Sequence, residues 1–294
     1  QVSPSQVKDI LHQAESLGID TLDCAGAYGN SEKVLGALGA SKRFKLIGKV
    51  PALTAEQSAI TPFVEKSLTN LQANQLDTLL FHQADNLLNH PNKSQLFSQL
   101  SQLKDQQRVK NIGVSVYSPE QLITIANRYA IDTAQVPINI FDQRFLSTDI
   151  IELCQKKHIK LHARSLFLQG LLFVEQKELK PYFSLYQEKL NKFALLAQYL
   201  SCSKLTLALA LLAQELRENK KRQVDKKSEL AVIDKVVIEK NVVEKIVVGV
   251  CNTQQLNEIV NAYQQAKSLE IPPNELRLLS DNRLGFINPS LWAI

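Results

Sequence analysis

The stretch GIDTLDCAGAYGNSE, residues 18–32, carries a short apolar strand from Ile19 to Asp23 straight into a loop holding Tyr28. Two later stretches repeat the move. KLIGKV (45–50) brings Lys49 to the end of a strand, and DTLLFHQ (77–83) does the same for His82. In a parallel barrel, the side chains that do chemistry stand at the C-terminal ends of strands. Asp23, Tyr28, Lys49 and His82 are therefore expected at one mouth. A free phenol holds its proton with a pKa of about 10. A neighbouring Lys ammonium favours the phenolate, an Asp beside that Lys keeps it in place, and a His can orient a carbonyl oxygen or share the proton. Together these groups can make a phenol donate a proton, as carbonyl reduction requires.

Outward from that stretch, short apolar strands alternate with amphipathic helices. Strands are expected near 44–49, 76–81, 109–114, 132–136, 159–163 and 246–250, in addition to 19–23. Helices are expected over 3–17 and near 62–72, 94–107, 119–128, 147–157, 184–200, 203–216 and 253–266. Ser3 can cap the first helix, Pro4 suits its first turn, and Gly18 ends it. The alternation implies a parallel α/β sheet. Seven strands behind an opening helix fit a (β/α)8 TIM barrel whose first strand is missing from the chain. A doubly wound open sheet is the rival, but no Gly-rich phosphate loop of the Rossmann kind occurs. Because an open seam would expose two strand edges, about 20 further residues are expected ahead of Gln1. The chain also contains no Met.

Composition narrows the function. With 294 residues, 45% of them apolar, the chain can build one large core and is expected to be a single domain over 1–294. The net charge of +5 reads as an ordinary solvated surface, with no base-reading stripe, so no nucleic-acid partner is expected. The charged run over 215–245 reads as a solvated insertion or helix extension, and 270–294 as a C-terminal tail. Cys24, Cys154, Cys202 and Cys251 lack metal or redox spacing, which suits a reduced, cytoplasmic compartment. No metal site is expected, and His158 and His162 read as structural. No apolar run approaches a membrane span, and no signal-peptide pattern opens the chain.

The ordered tetrad, with GVSVYSPEQL (113–122), QVPINIFDQR (135–144), HARSLFLQGLL (162–172) and VVGVCNTQQLNEI (247–259), resembles the aldo-keto reductases over nearly the whole chain. NIFDQR together with RSLFLQGLL resembles a bacterial branch whose members include sugar-modification proteins, which brings keto-sugars among the candidate substrates. The resemblance implies a (β/α)8 barrel and reduction of an aldehyde or ketone by NADPH, with NADH as the alternative cofactor. It implies Tyr28 as proton donor, Lys49 held by Asp23 as its electrostatic partner, and His82 as the group that orients the substrate. A small carbonyl compound is the expected partner, and a monomer or weak homo-oligomer the expected state.

The same resemblance implies a cofactor site. Ser115 and Gln135 would meet the nicotinamide carboxamide, and Arg164 would stack where many members carry an aromatic ring. Ser165, Leu166 and Gly170 would lie in the segment that straps the pyrophosphate. Gly249, Val250 and Cys251 would form the last phosphate-binding strand end, and Gln255 would contact adenine. Asn252 stands where the family carries Arg or Lys for the 2′-phosphate, Ile259 replaces an adenine-side Asn, and Val116 replaces an Asn after Ser115. Those departures, with the missing strand, support a different class of function: a non-catalytic, nucleotide-binding regulatory module. The intact tetrad argues against it. A third class, epimerisation of a sugar through a keto intermediate, would keep the fold and change the chemistry.

Overall fold

The structure, a computed structural model, describes residues 2–225, 242–272 and 274–293. Its strands are β1 (Thr21–Asp23), β2 (Lys45–Val50), β3 (Leu76–Phe81), β4 (Val109–Ser115), β5 (Thr133–Pro137), β6 (Lys160–Arg164) and β7 (Val243–Ile246). Strand order follows sequence order. Parallel strands in this order with helices between them make the fold a (β/α)8 barrel, and no described strand precedes the first helix. The described chain forms two compact units.

The first unit comprises residues up to Val136, Lys157–Leu161 and Gly249–Asn257. It opens with α1 (Pro4–Ser16), where Ser3 and Gln6 form the expected cap as a reciprocal capping box. Between its strands run α2 (Ser31–Ala37), α3 (Thr61–Leu71), α4 (Asp85–Leu88), α5 (Lys93–Asp105) and α6 (Pro119–Arg128). The parallel register pairs Asp23 with Ile47, Lys49 with Leu80, Phe81 with Val114, and Ser115 with Gln135. Leu76, Leu79, Leu80 and Phe81 of β3 are all buried, because helices and the barrel interior cover both faces of a parallel sheet. Each such side chain contributes about 1.5–3 kcal/mol by leaving water. Gly113 is required by contact: a Cβ there would lie 1.8 Å from the Thr133 carbonyl oxygen on the next strand.

The second unit holds Pro137–Lys156, the described part of His162–Val248, and the chain from Glu258 onward. Its helices are α7 (Thr148–Lys157, up to Lys156), α8 (Gln187–Tyr199), α9 (Lys204–Asp225) and the later part of α10 (Thr253–Ser268). The amide of Val247 donates to the Ala163 carbonyl at 2.8 Å, carrying the β6–β7 pairing past the end of β7.

One expectation needs correction. The last strand was expected over 246–250 but occupies Val243–Ile246. Val247, Val248 and Val250 form an apolar run without alternation, which cannot set a register. The charged run over 215–245 begins as a helix extension, the continuation of α9 to Asp225, and ends inside β7. Its centre, 226–241, lies outside the described residues. Helix-favouring Glu, Arg, Lys and Gln carry α9 onward after its apolar stripe stops.

The C-terminal tail is packed within the second unit. Gln143 donates to the Leu276 carbonyl at 2.7 Å, and the Asp281 amide to the Phe141 carbonyl at 2.8 Å. Lys189 of α8 donates to the carbonyls of Leu278 and Ser280. Phe286 stacks on Tyr186 at 4.7 Å, and Trp292 meets Phe183 edge-on at 4.8 Å. No single described helix is long and apolar enough to cross a membrane. One pair bent by 88°, Pro181–Tyr199 with Lys204–Leu216, passes by composition, but the apolar run Leu207–Ala213 is spent on the core.

Candidate active site

Asp23 ends β1, Lys49 is the penultimate residue of β2, and His82 follows β3 directly. The His82 amide donates to the Val50 carbonyl at 2.8 Å, which carries the ladder one residue past β3. Tyr28 lies on the turn after β1. Its amide bonds the Ala25 carbonyl at 3.0 Å, and its carbonyl accepts from Ser31 at 3.3 Å, where α2 begins. The turn is anchored by a residue that motif reading passed over. Glu32 is buried at the start of α2, accepting from the Ser67 hydroxyl at 2.8 Å and the Asn70 amide at 3.4 Å. Both partners belong to α3. Gly36 lets the two helices approach, since a Cβ there would lie 2.1 Å from the Asn70 carbonyl oxygen.

The four side chains come together within the first unit. Lys49 is 1% exposed, and its Nζ donates to Asp23 Oδ2 at 2.5 Å and to the Cys24 carbonyl at 3.3 Å. The same Nζ lies 5.3 Å from the centre of the Tyr28 ring. Tyr28 and His82 meet edge to face with ring centres 6.1 Å apart. The Tyr28 side of the site is open, with 48% of the residue exposed. An ammonium buried on one carboxylate and facing a solvent-accessible phenol can stabilise negative charge on that phenol. Burial first, then the carboxylates of Asp23 and Glu32, push the Cys24 thiol up to about 12. Cys24 therefore stays a neutral filler beside the charged groups.

The loops that follow Lys49 and His82 are tied together by Asn86, a second residue that motif reading missed. It is buried on α4, accepts from the Leu53 amide at 3.0 Å and donates to the Pro51 carbonyl at 2.8 Å. His90 adds a bond to the Thr54 carbonyl at 2.9 Å. Neither residue stands out by spacing. Only the bend of the chain brings them to the loop over 51–54.

The expected cofactor residues divide between the units. In the first, Ser115 and Gln135 are buried and adjacent in register. Gly249, Val250 and Cys251 lead into α10, whose first turn carries no acidic residue. Helix N-termini of that kind suit phosphate oxygens, so this end of the unit fits a nicotinamide dinucleotide. Asn252 and Gln255 turn out to cap α10. The Gln255 amide donates to Asn252 Oδ1, and Gln255 Oε1 accepts from the Cys251 amide, both at 2.8 Å. Asn252 thus has a structural reason to be an amide rather than a cation.

In the second unit, Arg164 ends β6 and donates to the Ser165 hydroxyl at 3.0 Å. Ser165, Leu168, Gln169 and Gly170 all have left-handed backbone, with φ of 61°, 44°, 52° and 90°. Three non-Gly residues held there mark a constrained loop of the kind that clusters at ligand sites. Leu166 is buried. The NIFDQR segment is occupied within the fold. Asn139 donates to the Ser165 carbonyl at 3.2 Å and accepts from the amides of Phe141 and Asp142. Fully buried Asp142 makes a bidentate pair with Arg144. Side chains so engaged hold the backbone of this segment. His162 is buried against Glu244 at 3.0 Å, whereas His158 precedes β6 in left-handed backbone and is exposed.

Comparison with known proteins agrees with this geometry. The sequence model of the Aldo/keto reductase family matches residues 1–271. Oxidoreductase YdhF of Escherichia coli (strain K12) is 25% identical over 215 residues, 65% of this chain and 70% of that protein. The holo form of aldo-keto reductase AKR11C1 from Bacillus halodurans has a similar fold, with TM-score 0.69 and 18% identity over 96% of this chain and 88% of that one. A Klebsiella pneumoniae aldo-keto reductase in complex with NADPH has TM-score 0.63 and 20% identity over 94% of this chain and 84% of that one.

Proposed function

The chain belongs to the aldo/keto reductase family, and from that premise we propose that it reduces an aldehyde or ketone to the alcohol with NADPH, using Tyr28 as proton donor. One observation carries the proposal: Lys49, buried and held by Asp23, faces the Tyr28 ring at 5.3 Å. NADPH, when bound, supplies the hydride that the carbonyl carbon accepts. Tyr28 gives its phenolic proton to the carbonyl oxygen, and Lys49 stabilises the charge left on the phenol oxygen. Asp23 keeps the ammonium in place, so that this stabilisation needs no rearrangement during the reaction. His82, edge-on to Tyr28, orients the carbonyl oxygen. Because Tyr28 is half exposed, water restores its proton once the alcohol leaves.

On the cofactor side, Ser115 and Gln135 hold the nicotinamide end, and the start of α10 receives phosphate. The substrate is a small carbonyl compound.

Tyr28→Phe separates chemistry from binding. It removes only the hydroxyl, so NADPH affinity, read by nicotinamide fluorescence, is expected to stay within about twofold, while turnover falls at least about 100-fold. Turnover close to that of the parent protein would remove Tyr28 from the mechanism.

A further inference from the structure

Asp23 is held from two sides, and the second holder comes from across the sheet. Gln135 Nε2 donates to Asp23 Oδ1 at 2.9 Å, while Lys49 occupies Oδ2. Gln135 lies on β5 and Asp23 on β1, so the bond spans the curled sheet rather than an adjacent pair of strands. Gln135 is 2% exposed. Its backbone is fixed as well, since its carbonyl accepts from the Val116 amide at 3.0 Å and its Cα is in register with Ser115. The orientation of its amide follows from chemistry: an ionised carboxylate only accepts, so the NH₂ group must face Asp23.

We infer that Gln135 is a positioning residue for the proton donor, acting through Asp23 and Lys49 on Tyr28, in addition to any contact with a cofactor. The inference rests on Tyr28 being the proton donor. A carboxylate that accepts from an amide has part of its charge satisfied there and is fixed in rotation. Asp23 then holds Lys49 beside the Tyr28 ring without fully cancelling its charge. Without the amide, the carboxylate concentrates on Lys49, and the ammonium favours the phenolate less. The charged and titratable groups around this chain are Asp23, Cys24 and Tyr28 on β1 and its turn, Glu32 on α2, Lys49 on β2 and His82 after β3. Gln135 is the neutral member that bonds Asp23.

The test is the pH dependence of kcat for reduction at saturating NADPH, in Gln135→Met and Gln135→Leu. Reduction needs the phenol protonated, so activity falls at high pH. Both variants are expected to move that alkaline limb upward by about one pH unit. Gln135→Met keeps the length of the side chain without adding charge and preserves the test if Gln135→Leu does not fold. NADPH affinity is measured alongside. A residue that only binds cofactor would weaken NADPH and leave the limb unmoved at saturation, and that result overturns the inference. Tyr28→Phe in the same assay keeps the premise separate. Surviving turnover there refutes the proton donor, whereas an inactive Tyr28→Phe with unmoved limbs in the Gln135 variants refutes only the role of Gln135.

Discussion

At the scale of single residues, the four cysteines report on the site independently of turnover. Cys24 and Cys154 are buried, and burial pushes both thiols up to about 12. For Cys24 the carboxylates of Asp23 and Glu32 add to the effect. Thiols so protonated and covered react poorly, because the thiolate is the nucleophile. Cys251 is exposed just ahead of α10. A thiol reagent at neutral pH is therefore expected to label Cys251 first, Cys202 slowly, and Cys24 and Cys154 only after unfolding. NADPH should protect Cys251 if that strand end takes phosphate. Mass spectrometry of the labelled peptides decides it, and early labelling of Cys24 in the native protein would contradict the burial described here. The tetrad itself was legible in the sequence, since each member stands at or just past a strand end and strands declare themselves by apolar runs. The Gln135–Asp23 bond was not. The two residues are 112 positions apart, and no local pattern links them.

At the scale of elements, the C-terminal tail shows how one ion pair seats a segment. Asp281 is almost fully buried, with its side chain 5% exposed, and Arg283 clasps it through its guanidinium and its own backbone amide. Burial alone would raise the Asp281 carboxyl, but the hydrogen bonds and charge of Arg283 outweigh it and hold the group below the ordinary 3.8. A depressed folded value stabilises the protein above the unfolded value, and the contribution is lost as pH falls through the folded one. Asp281→Asn is expected to cost about 1–3 kcal/mol at neutral pH and to flatten the loss of stability below about pH 4. Urea unfolding at neutral and acidic pH measures both effects, and an unchanged midpoint at neutral pH would show that the pair does not hold the tail. Sequence pattern found most of the helices and strands, because apolar spacing is a local signal. It misplaced β7, because the run of valines that follows it, Val247, Val248 and Val250, has no alternation. The helix cap that Asn252 and Gln255 form was not legible either, because it is visible only once α10 is seen to begin at Thr253.

At the scale of the whole molecule, a parallel barrel solves a positioning problem. Successive strands bring Asp23, Lys49 and His82 from separate parts of the chain to one end of the first unit, and the helices between them bury the outer face of the sheet. The fold was legible because the alternation of strand and helix recurs along the chain without a Gly-rich phosphate loop of the Rossmann kind. Substrate identity was not, because loops shape such pockets and their conformations depend on packing rather than pattern. The cofactor and the chemistry meet in one measurement on the intact protein: oxidation of NADPH, followed by absorbance, in the presence of a panel of aldehydes and ketones, with product alcohol quantified. The expected result is carbonyl-dependent oxidation with one alcohol formed per NADPH consumed, lost in Tyr28→Phe. No NADPH oxidation with any carbonyl, together with no binding of NADPH or NADH by fluorescence, would contradict the assignment of this site as a carbonyl reductase.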